Sequence, residues 1–158
     1  MQLELDQIRV NHAMSRDVVT VSPGDSLHEA LELIVENRVA ALPVVNGRGC
    51  CVGMLSTSDL IDLTHELDDE FLHLDGARWG DRRWLIEQLS NSLNSESVSD
   101  QMTDSVASIG PDSSLALAAG EMLRNRVHRL PVVDQKKRLL GIISTMDIMR
   151  VVADGAVL

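Results

Sequence analysis

The sequence predicts an α/β (α+β) fold in which one β-α-β-β-α unit is written twice in a single pseudo-symmetric domain. Three observations predict it. Residues 14–61 align with residues 102–149 without a gap, 88 positions apart, and 17 of the 48 aligned positions are identical. Each copy carries Arg-Val-x-x-Leu-Pro-Val-Val, at 38–45 and 126–133, followed by Gly-x-x-Ser-Thr-x-Asp, at 53–59 and 141–147. Within each copy the apolar pattern changes between the short runs of strands and the 3.6-residue spacing of a helix. A unit this short seldom buries its own apolar face, so the two copies are expected to pack together, with up to two equivalent clefts.

In copy one, Val18–Val21 is a β-branched run predicted as a strand, and Pro23-Gly24-Asp25 ends it. Ser26-x-x-Glu29 has the form of a capping box, and Leu27, Ala30, Leu31 and Ile34 then fall on one helical face. Leu42–Val45 reads as a buried strand, Asn46-Gly47 as a turn and Cys51–Leu55 as a second strand. Ser56 or Thr57 caps the next helix. Copy two repeats the order: a strand at 106–109, a helix over about 114–125, strands at 129–133 and 139–143 around the polar turn Asp134-Gln135-Lys136-Lys137, and a helix from Thr145.

The motifs span 10–63 and 98–153, with a segment at 64–97 that has no counterpart. Leu60, Leu63, Leu67, Phe71 and Leu74 form one apolar stripe that runs into it, and Ile86, Leu89 and Leu93 mark a second. Gly76 and Gly80 bracket a break, which predicts a helical hairpin running into a Ser- and Asn-rich linker. All the aromatic residues, Phe71, Trp79 and Trp84, lie in this insert, which makes it either a connection with an acidic outer face or a partner contact. His65, Asp69 and His73 share helical spacing, but no motif surrounds them and no metal site is read there.

The net charge is −10, and Lys136 and Lys137 are the only lysines. This argues against nucleic acid as a partner, since phosphates need a basic surface. The longest apolar run, Val39–Val45, is interrupted by Pro43 and falls far short of the roughly 20 residues that span a bilayer. The N-terminus lacks the basic start and apolar core of a signal peptide. A cytoplasmic location and no membrane partner are therefore expected. The adjacent Cys50 and Cys51 cannot make a disulfide framework.

With both landmarks occurring twice in the same order, the chain resembles the cystathionine β-synthase (CBS) domain family over about two thirds of its length. The resemblance implies two β-α-β-β-α motifs packed through their sheets, a Bateman module. It also implies adenosine ligands in the clefts between motifs and pairing of modules into a dimer. The residues are consistent with such a ligand. Ser-x-x-Asp at a helix start places a hydroxyl and a carboxylate beside exposed amides. A carboxylate accepts from both hydroxyls of a ribose, so Asp59 and Asp147 suit that edge, although both also suit a plain helix start. His128-Arg129 precedes Leu-Pro in copy two, where Ala40-Ala41 stands in copy one. In nucleotide-binding relatives that position faces phosphates. An arginine fork matches phosphate oxygens, and histidine adds a donor.

Family architecture then implies a main nucleotide cleft of Val18, Val19, Val39, Ala40, Ala41, His128, Arg129, Ile142, Ser144 and Asp147. A second, weaker cleft would use Ser56, Asp59, Val106, Ala107 and Val127. No nucleophile–base–orienter set, Walker-type loop or Cys-x-x-Cys pair is present, so no catalytic residues, no catalytic cofactor and no metal are assigned, and an enzyme is not expected. The expected function is a regulatory module that senses AMP, ADP, ATP or S-adenosylmethionine and signals through a homodimer or an unidentified regulated protein. Apolar helix faces at 27–35 and 115–123 are the expected self-association surface. The alternative is a ligand-free module that mediates protein–protein assembly.

Overall fold

The computed structural model describes residues 4–60 and 96–155. The expected helical hairpin, with its three aromatic residues, lies outside the described residues. The chain forms α1 (Val10–Ala13), α2 (Leu27–Asn37), β1 (Ala41–Val45), β2 (Cys51–Ser56), α3 (Val98–Gln101), α4 (Leu115–Asn125), β3 (Arg129–Val133), β4 (Leu139–Ser144) and α5 (Thr145–Gly155). Residues 57–60 are also helical. β1 pairs with β2 and β3 with β4, each pair a two-stranded sheet.

Local chemistry explains where α2 and α4 begin and end. Ser26 and Ser114 are extended N-caps, and each side-chain oxygen accepts from a backbone N–H three residues on, Glu29 and Leu117, at 3.1 Å. Both helices stop at an arginine in the left-handed region, Arg38 with φ 54° and Arg126 with φ 55°. Their N–H groups return to the carbonyls of Ile34 and Val35, and of Met122. A non-glycine residue there costs about 1 kcal/mol, which the tertiary fold must support.

The strands expected at 18–21 and 106–109 are each reduced to a single parallel bridge, Val21 with Val44 and Ile109 with Val132. The reason is Pro43 in β1 and Pro131 in β3. Val21 donates to the Pro43 carbonyl at 3.1 Å and accepts from Val45 at 2.8 Å. The next rung toward the N-terminus would need the N–H of residue 43 to reach the Val19 carbonyl, and proline has none. Ile109 makes the same two bonds, to the Pro131 carbonyl at 3.1 Å and from Val133 at 2.9 Å, and stops for the same reason.

The chain divides into two compact units, and the division does not follow the copies. Unit one is Met1–Val18, Gly47–Cys51 and Ser105–Leu158; unit two is Val19–Asn46 and Val52–Asp104. The residues leading into copy one thus join copy two, and those leading into copy two join copy one. The cores match at all but one position, where Leu31 of unit two corresponds to the partly buried Ala119 of unit one. Val21, Leu27, Ala30, Ile34, Leu42, Val44, Leu55 and Leu60 in unit two correspond to Ile109, Leu115, Ala118, Met122, Leu130, Val132, Ile143 and Ile148 in unit one. Val98 completes the first cluster and Val10 the second, each fully buried and each brought by the other copy's lead-in.

This exchange explains the glycine of the second landmark. Ser15 and Ile142 exchange backbone hydrogen bonds at 2.9 Å, and a Cβ on Gly141 would sit 2.6 Å from the Ser15 carbonyl oxygen. Met54 and Thr103 exchange the equivalent bonds at 3.0 and 2.9 Å, and a Cβ on Gly53 would meet the Thr103 carbonyl oxygen at 2.9 Å. Only glycine lets a backbone pass this close.

The apolar faces expected to drive self-association differ between copies. Leu27, Ala30, Leu31 and Ile34 of α2 are buried within unit two, so the 27–35 face is not a free surface. On α4, Leu115, Ala118 and Met122 are buried, but Leu117 and Leu123 stay exposed, as do Met146 and Met149 on α5. The 3.6-residue period identifies a helix's apolar face but not what already covers it.

Candidate ligand site

The C-terminal end of β4 and the first turn of α5 form a closed hydrogen-bonded box in unit one. Asp147 Oδ2 accepts from the Ser144 backbone N–H at 2.8 Å and from its hydroxyl at 2.9 Å, and Ser144 Oγ accepts from the Asp147 N–H at 3.1 Å. The N–H of Thr145, first residue of α5, donates to the His128 carbonyl at 2.8 Å. In the β3–β4 register Arg129 stands opposite Ser144. Sheet pairing therefore brings His128, Arg129, Ser144 and Asp147 together. His128 is exposed and Arg129 partly so.

Unit two holds the same box one repeat earlier. Asp59 Oδ2 accepts from Ser56 N–H at 2.9 Å and from its hydroxyl at 3.0 Å, Asp59 N–H donates to Ser56 Oγ at 3.2 Å, and Thr57 N–H donates to the Ala40 carbonyl at 2.9 Å. Both aspartates thus cap their helices whether or not a ligand binds. Each spends one carboxylate oxygen on that task and keeps Oδ1 for something else.

The two boxes differ at Oδ1. On Asp147 it faces Arg150 Nη1 at 3.4 Å, an ion pair whose arginine side chain is 68% exposed. Such a pair is worth less than about 1 kcal/mol. On Asp59 the Thr103 hydroxyl donates to Oδ1, also at 3.4 Å. Thr103 is fixed by its backbone pairing with Met54. An arginine three residues after an aspartate is a readable helical pair. Thr103 is 44 residues from Asp59 and gave no sequence signal.

The other expected residues divide between the units. Val18, Val106, Ala107, Val127 and Ile142 belong to unit one, and Val19, Val39, Ala40 and Ala41 to unit two. Ile142 stands opposite Pro131 and also holds the lead-in through Ser15. Val19 and Val39 pack against the core of unit two, Ala107 against that of unit one, and Ala41 is buried in β1 while Ala40 is exposed. Unit one holds 10 of the 14 lysines and arginines and 8 of the 24 acids, a net of +2; unit two holds the other 4 and 16, a net of −12. The two units thus carry net charge of opposite sign.

Among the described residues no group of three metal-ligating side chains occurs, and no helix is long and apolar enough to cross a membrane. The family model described as the CBS domain matches residues 9–66 and 96–154. The CBS domain-containing protein CBSX1, chloroplastic, of Arabidopsis thaliana is 31% identical over 85% of this chain and 58% of its own length. The 5'-AMP-activated protein kinase subunit gamma-3 of Homo sapiens is 32% identical over 85% of this chain but only 24% of its own length. The chain thus corresponds to part of each. Among solved structures, CBSX2 in complex with AMP is 29% identical over 94% of this chain and 98% of that one, with a TM-score of 0.72. CBSX2 from Arabidopsis thaliana, in a second structure, gives a TM-score of 0.76 at 28% identity over 95% of this chain.

Proposed function

The chain belongs to the CBS domain family, and on that premise we propose that it is a regulatory module that binds an adenine nucleotide, AMP, ADP or ATP, at the Ser144–Asp147 box. The observation that carries this reading is the juxtaposition of that box with His128 and Arg129 in the unit of positive charge. Asp147 Oδ1 accepts from the ribose diol, displacing Arg150. Arg129 and His128 meet the phosphates. Val18, Val19, Val39, Ala40, Ala41 and Ile142 enter as adenine-facing residues through the family resemblance. Ser56 and Asp59, with Val106, Ala107 and Val127, form the weaker set, because Thr103 already occupies Asp59 Oδ1 and no arginine stands at position 41.

Similarity to the AMP complex of CBSX2 supports the ligand class. S-adenosylmethionine is the second ligand class, and it lacks the phosphates that Arg129 and His128 suit. The module acts in the cytoplasm as a regulator rather than as an enzyme. It passes its state to a second copy of itself or to another protein, and the exposed Leu117, Leu123, Met146 and Met149 are the surface for the homodimer. A thermal-shift series with AMP, ADP, ATP and S-adenosylmethionine tests the reading. A ligand at 100 times its dissociation constant adds about 2.7 kcal/mol of stability. No shift with any adenosine ligand would favour the ligand-free assembly module.

A further inference from the structure

Asp147 and Arg150 are unequal partners in their ion pair. The aspartate side chain is 14% exposed and the arginine side chain 68%. Asp147 Oδ2 is committed to Ser144, through the backbone N–H at 2.8 Å and the hydroxyl at 2.9 Å. Among the described residues, Oδ1 meets only Arg150 Nη1, at 3.4 Å, and Arg150 makes no other hydrogen bond or ion pair. A sheltered acceptor is thus covered by a cation that stands mostly in water, with most of its N–H donors unspent.

The helix start does not require that cation. Both boxes close on their own serine, and the Asp59 box does so with a neutral hydroxyl, that of Thr103, at Oδ1. The position aligned with Arg150 is Asp62, so the two copies carry opposite charge three residues after the same aspartate. A residue that capping leaves free, placed on the one uncommitted acceptor of the box, is a candidate to select what that acceptor receives.

We propose that Arg150 is a specificity-determining residue that biases the Ser144–Asp147 box toward adenosine ligands bearing a phosphate; the inference rests on the nucleotide reading above. A ribose hydroxyl that donates to Asp147 Oδ1 takes the oxygen that Arg150 holds. An unphosphorylated nucleoside offers the guanidinium no anion in exchange. A nucleotide brings its own, and an arginine fork matches phosphate oxygens. The exposed side chain exchanges one anion for the other by rotamer changes alone, without moving α5. Arg150 therefore works against adenosine and in favour of AMP. Arg129 and His128 pair with neither oxygen of Asp147, so they favour the phosphate without opposing the nucleoside.

The test is calorimetric titration of the full chain with AMP and with adenosine, in wild type, Arg150→Gln and Arg150→Lys. Arg150→Gln should tighten adenosine and weaken AMP, so that the preference for AMP over adenosine falls about fivefold or more. Arg150→Lys keeps the charge and should retain most of the preference. An unchanged preference in Arg150→Gln would overturn the proposal and leave the nucleotide reading standing. Equal loss of affinity for both ligands would show that Arg150 only supports the fold of the box, and would overturn it too. Wild-type protein that binds neither AMP nor adenosine would overturn the nucleotide reading together with the proposal.

Discussion

Unit one and unit two share a core at all but one position, Leu31 against the partly buried Ala119, but differ in what surrounds the Ser-x-x-Asp box. Position 129 is arginine in one and its counterpart 41 is a buried alanine in the other. Arg150 attends Asp147, whereas Thr103 attends Asp59. The net charges are +2 and −12, and among the described residues the most exposed apolar side chains, Leu123 and Met146, both lie in unit one. The difference separates two kinds of constraint. Packing and capping demand the same residues wherever the unit is built, so those positions recur. The chemistry around the remaining carboxylate oxygen is free to diverge, and it is there that the two units differ.

The comparison breaks most severely at the glycines. Gly141→Ala and Gly53→Ala each push a methyl group into a backbone carbonyl, and each should lower stability by about 3 kcal/mol in thermal or urea unfolding. Comparable losses are expected, because the exchange of lead-ins is reciprocal. A loss in one and none in the other would mean that one lead-in is replaceable.

The aspartates sharpen the contrast. Asp147→Ala should weaken nucleotide binding by roughly 2–3 kcal/mol, about 30- to 150-fold, and Asp59→Ala much less. Calorimetry with the nucleotide that gives the largest thermal shift measures both. Equal, small effects would remove the assignment to unit one. Light scattering at micromolar concentration should return twice the 17.3 kDa chain mass, and Met146→Lys, which charges one of the exposed apolar residues, should return the monomer.

Smaller effects are expected where the units agree. Ser26→Ala and Ser114→Ala should each cost about 1 kcal/mol, since both N-caps make the same 3.1 Å bond. The last prediction concerns the turn between β3 and β4. The Arg138 backbone N–H, aided by its guanidinium, holds the Asp134 carboxyl below its ordinary value of 3.8, against a smaller opposing effect of burial. A carboxyl lowered on folding contributes stability that is complete above about 3.8 and is lost as pH falls through the lower folded value. The stability gap between wild type and Asp134→Asn should therefore close in acid and be constant near neutrality.

Much of the unit was legible residue by residue. Ser26 and Ser114 announced their helices, and the Leu-Pro-Val-Val runs announced β1 and β3. Ser56, Asp59, Ser144 and Asp147 announced helix starts with a spare acceptor. The first strands were legible as β-branched runs, yet Pro43 and Pro131, plain in the sequence, deny them a ladder, because the missing N–H belongs to the partner strand. At the site, His128 and Arg129 were legible as donors, but their placement beside Ser144 and Asp147 required the β3–β4 register.

What the sequence by itself determined is local and repeated: where helices start and stop, which residues are apolar, and which two short motifs recur. These follow from interactions within a few residues, a cap with its N3 amide or a proline with its own φ. The tertiary structure alone decided which lead-in joins which copy. Val10 and Val98 are the same residue at the same repeat position, and nothing local distinguishes the core each will enter. That choice is made by the backbone bonds of Ser15 with Ile142 and Thr103 with Met54, across 127 and 49 positions. The same choice carries Thr103 to Asp59 and leaves Asp147 to an exposed arginine, because a partner brought by folding is fixed by the whole unit, whereas one on the same helix turn is held only by its own side chain.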